Sequence, residues 1–538
     1  MNQDSIKTSG MAARYSHLLI LVLCVFGVGL GMFTRYNGFK FYYHPDEPGK
    51  VRQLVNGTRN FNHPMLMLTT VDTVRKLMLD EAGQRNYQTV VVVGRWATAA
   101  SAALTAAALA LLAAWHYGLL AGVLTGMLTL SNSLLFQLAH YLKEDPWLTA
   151  GIAVSAVTLY AFQRKPDTKR LCLLAVATGL TAAAKYVGIA LLPMVLFAVW
   201  RLSAAAGSRQ RRVWLGQLLL ISALVWLILN HWIFITPGVF RESLGGEVGK
   251  AYENNRQGQW VSLIKYINTQ REIGGWWTPI LSLLWLVWAV FNARRVTAAE
   301  WLLGGVSMFY LVVFIFTPKD AARYYLPVAV AFSYFAVAGV MVWSGQFRRR
   351  TVFWAGVALV LGAVAIQAQV LRREWKGYKQ DNRVMLEDYI ARHLPASAVI
   401  AQDDVVALPD PSLRDGRGDN NRRMLPQRIM GSKLVAGMGD AAQLRSMGVT
   451  HVALSYGIYR TYLDGSRKDS DGSVDAVKRA LSSIVKQGKT IWTTKKGYNN
   501  YLQPELRLID ISGVPVPAGE TAPPKREQEE EQEPMGGQ

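Results

Sequence analysis

Long apolar stretches separated by short polar segments occupy the first 370 residues of this chain. A membrane-spanning helix needs about 20 predominantly apolar residues, and the pattern predicts eleven spans. The apolar stretches are residues 18–33, 90–115, 119–138, 147–162, 171–184, 187–200, 214–234, 276–291, 301–316, 325–343 and 353–370. The fold class that this pattern predicts is a polytopic α-helical membrane protein.

After residue 371 the apolar positions follow the spacing of amphipathic helices and short strands. Helical spacing is found at 381–394 and 474–487, and strand-like runs are 398–401, 451–455, 490–494 and 506–511. We therefore predict three parts. They are a transmembrane domain at 1–371 with a first outer loop at 34–89, a soluble α/β domain at 372–512, and a disordered acidic tail at 513–538.

The composition agrees with a membrane protein, because 51% of the 538 residues are apolar. The net charge of +21 is concentrated in alternate short loops, as expected where Lys and Arg mark the cytoplasmic side. This distribution predicts a plasma (inner) membrane protein whose other loops and C-terminal domain are extracytoplasmic. No nucleic-acid motif is present, so nucleic acid is not an expected partner. Cys24 and Cys172 lie in apolar runs and indicate neither a disulfide nor a metal site.

Isolated charges in the outer loops are the candidates for chemistry. The first pair, Asp46 and Glu47, lies between Pro45 and Pro48 within residues 41–64. The two prolines exclude a regular helix in this segment and favour a fixed, extended or turn geometry. The alternative is that these are ordinary loop carboxylates without a function.

A second candidate site is the KED segment, Lys143, Glu144 and Asp145, which interrupts apolar sequence directly before Pro146. The segment predicts a helix start with Asp145 as the N-cap and Pro146 at the first helical position. A capping carboxylate can also contact a ligand, so the structural and functional interpretations are compatible.

Cations at the predicted membrane edge form two further candidate sites. Lys185 lies between two apolar runs, where a charge is costly and either reaches the interface or serves function. Lys319 and Arg323 lie at the outer edge beside Tyr324 and Tyr325, and we predict that these tyrosines are interfacial anchors.

His63 is a weaker candidate, because a lone histidine is usually a hydrogen-bonded loop or core residue. Together with Asp46, Glu47 or His44 it offers mixed nitrogen and oxygen ligands for a divalent metal ion, although the spacing is not diagnostic. All these candidates lie on the same predicted side of the membrane. Carboxylates and cations at a lipid interface suit a reaction in which a base deprotonates an acceptor while basic residues hold an anionic leaving group.

The order of these motifs resembles the GT-C superfamily of integral membrane glycosyltransferases. Within it, the chain is most like the protein O-mannosyltransferases and the bacterial aminoarabinose (lipid A) transferases. The resemblance covers about residues 18–343, and the motifs that carry it are HPDEP at 44–48, NHPML at 62–66, KEDPWLT at 143–149, AAKYVGIALLP at 183–193 and ARYYLPV at 322–328.

The resemblance implies a GT-C fold and an inverting transfer of a sugar from a polyprenyl-phosphate donor, without a covalent sugar–enzyme intermediate. It implies that Asp46 is the catalytic carboxylate supported by Glu47, and that Glu144 and Asp145 form a second acidic site. Lys185 and Arg323, with Lys143 and Lys319, are then expected to hold the donor phosphate. One proline of the family pattern after His63 is lost, and His63 is assigned a supporting role, as is His44.

The acceptor stays open between a glycolipid or lipopolysaccharide and a protein hydroxyl. An anionic glycolipid suits the basic residues of the first outer loop, which are Lys40, Lys50, Arg52, Arg59, Arg75 and Lys76. Members of the superfamily differ in their need for metal, so no cofactor is certain and a divalent ion stays open. The rival function is a transporter or flippase of lipid-linked sugars, which would carry polar residues near mid-membrane and broken helices in related halves.

Overall fold

The computed structural model describes residues 3–39, 46–252, 259–316, 321–347, 350–403, 406, 408, 425–432, 434–464, 473–497 and 502–516. Contacts divide the chain into two units, Met1–Trp375 and Lys376–Gln538. The predicted acidic tail lies outside the described residues from position 517 onward.

The first unit is helical throughout its described residues. Its helices are α1 (Gln3–Thr34), α2 (Glu47–Asn56), α3 (Leu66–Met78), α4 (Glu81–Arg85), α5 (Tyr87–Tyr117), α6 (Leu119–Leu130), α7 (Ser133–Ala139), α8 (Asp145–Arg164), α9 (Thr168–Ala184), α10 (Leu191–Leu202), α11 (Gly207–Leu229), α12 (Trp232–Ile235), α13 (Pro237–Tyr252), α14 (Gln259–Glu272), α15 (Trp277–Phe291), α16 (Ala298–Phe316), α17 (Leu326–Phe347) and α18 (Arg350–Gly377).

Each of the eleven predicted apolar stretches is helical, and the polytopic α-helical class is confirmed. Five helices in the described part of the chain are long and apolar enough to cross a membrane, or up to seven if each bent pair is one span. The predicted span 119–138 is such a pair, since α6 and α7 are bent by 62°. The predicted count of eleven is therefore not confirmed, because several apolar helices are too short by themselves.

Burial divides the long helices into central and peripheral ones. In the most apolar 18-residue stretch of α5 and of α17, 78% is buried inside the protein. The corresponding share is 17–28% in α1, α11 and α18. Helix α5 is rich in alanine, and small residues allow helices to approach closely in membranes. At the α1 contact, a methyl group on Gly29 would lie 3.1 Å from Ala103 Cβ. The small side chains thus make α5 the helix around which its neighbours pack.

A buried polar network holds the C-terminal end of α5. The Glu300 side chain, at the start of α16, is fully buried and accepts hydrogen bonds from the hydroxyl of Tyr117 and from Trp285 Nε1 at 3.2 Å. The Thr297 backbone N–H and hydroxyl each donate to the second carboxylate oxygen at 2.9 Å. Because a buried carboxylate is costly unless it is hydrogen-bonded, this network fixes α5, α15 and α16 to one another.

The second unit is an α/β domain, as predicted. Its helices are α19 (Asn382–His393), α20 (Ala441–Ser446), α21 (Tyr456–Leu463) and α22 (Ser473–Gln487), and its strands are β1 (Val399–Asp403), β2 (Arg428–Ser432), β3 (His451–Ser455), β4 (Lys489–Thr493) and β5 (Leu506–Asp510). The sheet order is β2-β1-β3-β5-β4. Strand β1 is parallel to β2 and β3, whereas β5 is antiparallel to β3 and β4.

Alternation of side chains gives this sheet two apolar faces. Ala401, Val452 and Ile509 pack with Ile484 of α22, whereas Ile400, Ala453 and Leu508 pack with Ile390 of α19. The two predicted helices and four predicted strands are present. Strand β2 was not predicted, because its sequence RIMGS has only two apolar residues and ends in Gly-Ser.

Candidate active site

The segment around Asp46 begins a helix, so the prediction that its prolines exclude regular helix is wrong. Pro48 lies in the first turn of α2, where a missing N–H costs nothing because it would have no partner inside the helix. Asp46 occupies the N-cap position, yet its side chain makes no capping hydrogen bond and instead contacts Lys143 Nζ. Pro45 and His44 lie outside the described residues.

Glu47 is joined to Arg95 of α5 in a fully buried, bidentate ion pair. Arg95 Nε lies 3.0 Å from Glu47 Oε1, and Arg95 Nη2 lies 2.9 Å from Oε2. Both side chains are 0% exposed. Arg95 was missed from the sequence, although a charge inside the predicted span 90–115 is the same signal that identified Lys185. The Glu47 carboxylate therefore bonds to groups of the protein itself, and a substrate cannot reach it in this structure.

In the KED segment, the predicted N-cap is displaced by one residue. Glu144 occupies the N-cap position of α8 without a capping hydrogen bond, and Asp145 is the first helical residue. The prediction was wrong because Asp145 is engaged elsewhere: its Oδ1 lies 2.7 Å from Lys185 Nζ. Its Oδ2 is buried and has no hydrogen-bond partner among the described residues.

Glu144 faces a lysine and a histidine from the first outer loop. Lys50 Nζ lies 2.7 Å from Glu144 Oε1 and 2.8 Å from Oε2. His63 Nε2 lies 3.9 Å from Glu144 Oε2, which is too long for a hydrogen bond. Like Arg95, Lys50 was not identified as a site residue from the sequence. Lys50 in α2 and His63 after α2 thus both face the KED segment at Glu144.

An aromatic ring connects the two predicted donor cations. Lys185 Nζ lies 4.5 Å from the centre of the Tyr324 ring, and Arg323 Cζ lies 5.1 Å from it. A cation over an aromatic face is favourable, more so when it is desolvated. Tyr324 therefore positions these cations, a role that its prediction as a membrane anchor did not include. Lys319 lies outside the described residues.

Exposure distinguishes Asp46 from the other three carboxylates. The Asp46 side chain is 41% exposed, whereas those of Glu47, Glu144 and Asp145 are at most 4% exposed. The Lys143 side chain that contacts Asp46 is itself buried. Asp46 is consequently the carboxylate of this cluster that a molecule from outside can reach.

The electrostatics favour charged carboxylates and a neutral imidazole. Burial opposes a charge on Glu144, but Lys50 and Lys143 hold the pKa of this carboxyl well below its usual range. Burial lowers the pKa of Lys50, although the carboxylate of Glu144 counteracts it. Burial also lowers the pKa of His63 to about 4, so this imidazole is neutral near pH 7 and can donate or accept a hydrogen bond.

The described residues contain no group of three or more His, Cys, Asp or Glu side chains arranged to hold a metal ion. The carboxylate that His63 approaches is that of Glu144, which is not among the ligands proposed with it. The proposed metal set with Asp46 and Glu47 is not assembled, because those carboxylates contact Lys143 and Arg95. The further ligand His44 lies outside the described residues.

Several basic residues of the first outer loop are buried or paired with carboxylates of the protein itself. Lys50, Arg59 and Arg75 are buried, and Arg75 Nη2 lies 2.7 Å from Asp72 Oδ1. Lys76 also contacts Asp72, at 2.9 Å. The charge argument for an anionic acceptor is weakened, because these side chains neutralise carboxylates of the protein. Lys40 lies outside the described residues.

Comparison with known proteins adds a family match. Residues 75–240 match the family model described as dolichyl-phosphate-mannose-protein mannosyltransferase. This range includes Arg95, the KED segment and Lys185. The chain is similar to the GT-C membrane glycosyltransferases. No curated protein gives a significant match.

Solved structures of GT-C glycosyltransferases are similar to this chain, two of them over most of its length and a third over less than half. ArnT from Cupriavidus metallidurans bound to undecaprenyl phosphate has 17% identity and a TM-score of 0.48, covering 92% of this chain and 97% of ArnT. The Archaeoglobus fulgidus oligosaccharyltransferase tethered to an acceptor peptide has 9% identity and a TM-score of 0.50, covering 88% and 72%. The Saccharomyces cerevisiae Pmt1-Pmt2 complex bound to the sugar donor has 16% identity and a TM-score of 0.35, covering 41% and 34%.

The resemblance inferred from the motifs is thus confirmed. At these identities the structures show the fold, and the oligosaccharyltransferase match supports a GT-C fold for this multi-pass membrane protein. The family match indicates a glycosyltransferase, and no finding supports the transporter alternative.

Close packing behind Lys185 in this GT-C fold leads to a first prediction. Residues 186–190 form a 3₁₀ turn after Lys185, and a methyl group on Gly188 would lie 2.2 Å from the backbone oxygen of Thr181. Gly188→Ala is expected to cost about 1–3 kcal/mol of stability, because backbone must move. Thermal unfolding followed by tryptophan fluorescence measures the loss. Gly216→Ala is the control, since its methyl group meets nothing within 4 Å; equal unfolding temperatures for both variants would contradict the packing argument.

Acid is expected to destabilise the protein through His63. Folded His63 has a pKa of about 4 against 6.5 for the free group, so the unfolded chain binds more protons between these values and stability falls as pH decreases through them. At about 1.4 kcal/mol per pKa unit, the loss is up to about 3 kcal/mol. His63→Gln should flatten the dependence of unfolding temperature on pH between about 6.5 and 4. The exposed His231→Gln variant is the control, and a wild-type pH profile for His63→Gln would contradict the prediction.

Proposed function

We propose that the protein is an inverting glycosyltransferase that moves a sugar from a polyprenyl-phosphate donor to an acceptor on the extracytoplasmic side of the plasma membrane. The observation that carries this proposal is one accessible carboxylate, Asp46, held by Lys143 beside the buried Asp145–Lys185 pair. The family match supports the donor class, because dolichyl-phosphate mannose is a polyprenyl-phosphate sugar.

Asp46 is the proposed general base. It would accept the proton of an acceptor hydroxyl while that oxygen attacks the anomeric carbon of the donor from the side opposite the phosphate. The bond between the anomeric carbon and the phosphate oxygen breaks, the electron pair leaves with polyprenyl phosphate, and the anomeric configuration inverts. The contact with Lys143 orients the base. A positioned base typically contributes about 10²–10⁴-fold to the rate.

Lys185 and Arg323 are proposed to hold the donor phosphate, which becomes the leaving group. They lie on the same Tyr324 ring, and charge-assisted hydrogen bonds to phosphate are among the stronger ones in proteins. An ammonium group has three N–H donors, so Lys185 can bind a phosphate oxygen without releasing Asp145. Lys143 and Lys319 are proposed as further contributors to the positive field.

The prenyl chain needs an apolar surface beside these cations. A cavity lined by Ile152, Val187, Leu191, Met194 and Phe309 lies beside the turn that follows Lys185. Its walls come from α8, α9, α10, α16 and that turn. At about 10 Å³ the cavity is too small for an isoprene unit, so we propose that the prenyl chain lies in the bilayer against the apolar surface of these helices.

The three buried acidic residues are proposed to fix the cations. Glu47 holds Arg95, Glu144 holds Lys50, and Asp145 holds Lys185. Without these partners the cations would have to be desolvated alone, which is costly. The acceptor is either a glycolipid or lipopolysaccharide component or a protein hydroxyl.

The proposal is tested with the purified full-length protein, detergent-solubilised polyprenyl-phosphate sugars and candidate acceptors. We expect sugar transfer with release of polyprenyl phosphate, and an inverted anomeric configuration by NMR of the product. Mass spectrometry of envelope lipids and proteins from cells with and without the gene should identify sugar and acceptor together. Movement of intact donor across vesicle membranes without transfer would overturn the proposal and favour the transporter.

A further inference from the structure

The first turn of α2 holds both backbone groups of a single residue in the loop before the KED segment. Glu47 Oε1 accepts a hydrogen bond from the Leu142 N–H at 2.9 Å. Lys50 Nζ donates to the Leu142 carbonyl oxygen at 3.0 Å. Residues three apart lie on one helical face, and these two side chains therefore reach Leu142 together.

The same turn also contacts the two residues that follow. Lys50 binds the Glu144 carboxylate, and Asp46 contacts Lys143. Three consecutive residues, 142–144, are thus held by one helical turn. Asp145, which binds Lys185, comes directly afterwards.

Apolar packing against α2 and α5 also leaves the loop little freedom. The Leu142 side chain is fully buried in a cluster with Val51 and Leu54 of α2 and Val90 of α5. A methyl group on Gly94 would lie 2.7 Å from Leu142 Cδ1. The position of the KED segment therefore depends on its polar contacts to α2 and on this apolar contact to α5.

We propose that Lys50 is a positioning residue that sets the distance between the base Asp46 and the Asp145–Lys185 pair through Leu142 and Glu144. This inference rests on the proposed function. Lys50 is buried and its contacts are to the protein itself, so its effect on the reaction is indirect. In the α2 turn, Lys50 contacts both the backbone of Leu142 and the Glu144 side chain.

Lys50→Met removes both contacts while keeping the length and apolar stem of the side chain. Because misplacement of reacting groups by about 1 Å can cost about 10²-fold in rate, we expect kcat to fall by about 10–100-fold. The KM for the donor should stay within about threefold, because Lys185 and Arg323 are untouched. Lys50→Arg restores a cation with several donors, and its kcat should recover to within about threefold of wild type.

Hydrogen exchange followed by mass spectrometry reports the position directly in the full-length protein. In Lys50→Met, peptides covering residues 140–148 should exchange faster, while peptides of α22 at 473–487 should be unchanged. Lys165→Met is the control, since Lys165 is an exposed lysine directly after α8. It should leave kcat, KM and exchange at wild-type values. Lys50→Gln replaces Lys50→Met with the same expectations if the latter does not fold.

Wild-type kcat in Lys50→Met would overturn the inference. So would a general rise of exchange throughout the chain without rescue by arginine, because that pattern means a structural role only. The exchange measurement needs no substrate. If the protein transfers no sugar, the proposed function fails, while local release of residues 140–148 still reports whether Lys50 holds this segment.

Discussion

Asp46→Asn is expected to lower kcat by about 10²–10⁴-fold, the usual contribution of a positioned general base. Asparagine keeps the shape of the side chain and a carbonyl oxygen that can accept a hydrogen bond from Lys143, so the contact at the start of α2 can persist. It cannot take the acceptor proton. The initial rate of sugar transfer at saturating donor measures this loss.

The fold is expected to survive this change. Asp46 is partly exposed. In the variant, Lys143 still lies close to the carboxylates of the KED segment, whose negative charges raise the pKa of this lysine despite its burial. Expression, membrane insertion and unfolding temperature should therefore be close to wild type. Glu81→Gln, at an exposed carboxylate of the same outer loop, is the matched control and should retain full activity. Normal turnover by purified Asp46→Asn would remove Asp46 from the role of base.

Arg95→Met is expected to destabilise the protein by about 3–5 kcal/mol, the usual cost of removing one partner from a buried ion pair. The variant leaves the Glu47 carboxylate fully buried without the two bonds from Arg95, while the Leu142 N–H still donates to it. Arg95 also donates to the carbonyl oxygen of Asn37 at 3.0 Å, which would lose that donor. Tryptophan fluorescence during thermal unfolding measures the effect, and low expression is expected with it.

An exposed ion pair provides the comparison. Arg170 and Asp167 are each 34% exposed, and such surface pairs contribute little to stability because water screens them. Arg170→Met should therefore unfold close to the wild-type temperature. Combining Arg95→Met with Glu47→Gln should recover part of the loss, because the buried charge is removed. If Arg95→Met proved as stable as Arg170→Met, the Glu47–Arg95 pair would not be a main support of α2.

Helices and strands with strong periodicity were predictable from local sequence. The boundaries of β3 agree residue for residue with the predicted run 451–455, and α22 begins within one residue of its prediction. The number of spans was not predictable, because bending depends on packing. Within the run 119–138, Ser131 and Asn132 are residues typical of a helix start, and Asn132 caps α7, but the 62° angle between α6 and α7 depends on packing.

The site was predictable as a set of charges, whereas the pairing within it was not. The motifs identified Asp46, Asp145 and Lys185, and the structure brings them together. Lys50 was interpreted as part of a basic surface, yet it is buried against Glu144. Which cation pairs with which carboxylate depends on contacts between residues 40 to 97 positions apart, such as Asp145 with Lys185 and Asp46 with Lys143. Periodicity and capping rules describe only neighbours in sequence.

Helix α5 is attached near both ends by a buried carboxylate: Glu47 binds Arg95, and Glu300 binds Tyr117. These two α5 residues are separated by about 33 Å of helix, at about 1.5 Å per residue. The hydrocarbon core of a typical bilayer is about 30 Å thick. Sliding α5 along its axis would break one attachment or the other. In a thinner or thicker bilayer this central helix cannot shift relative to its neighbours, so the lipid must deform around the protein as a whole, and the protein carries a built-in preference for membrane thickness.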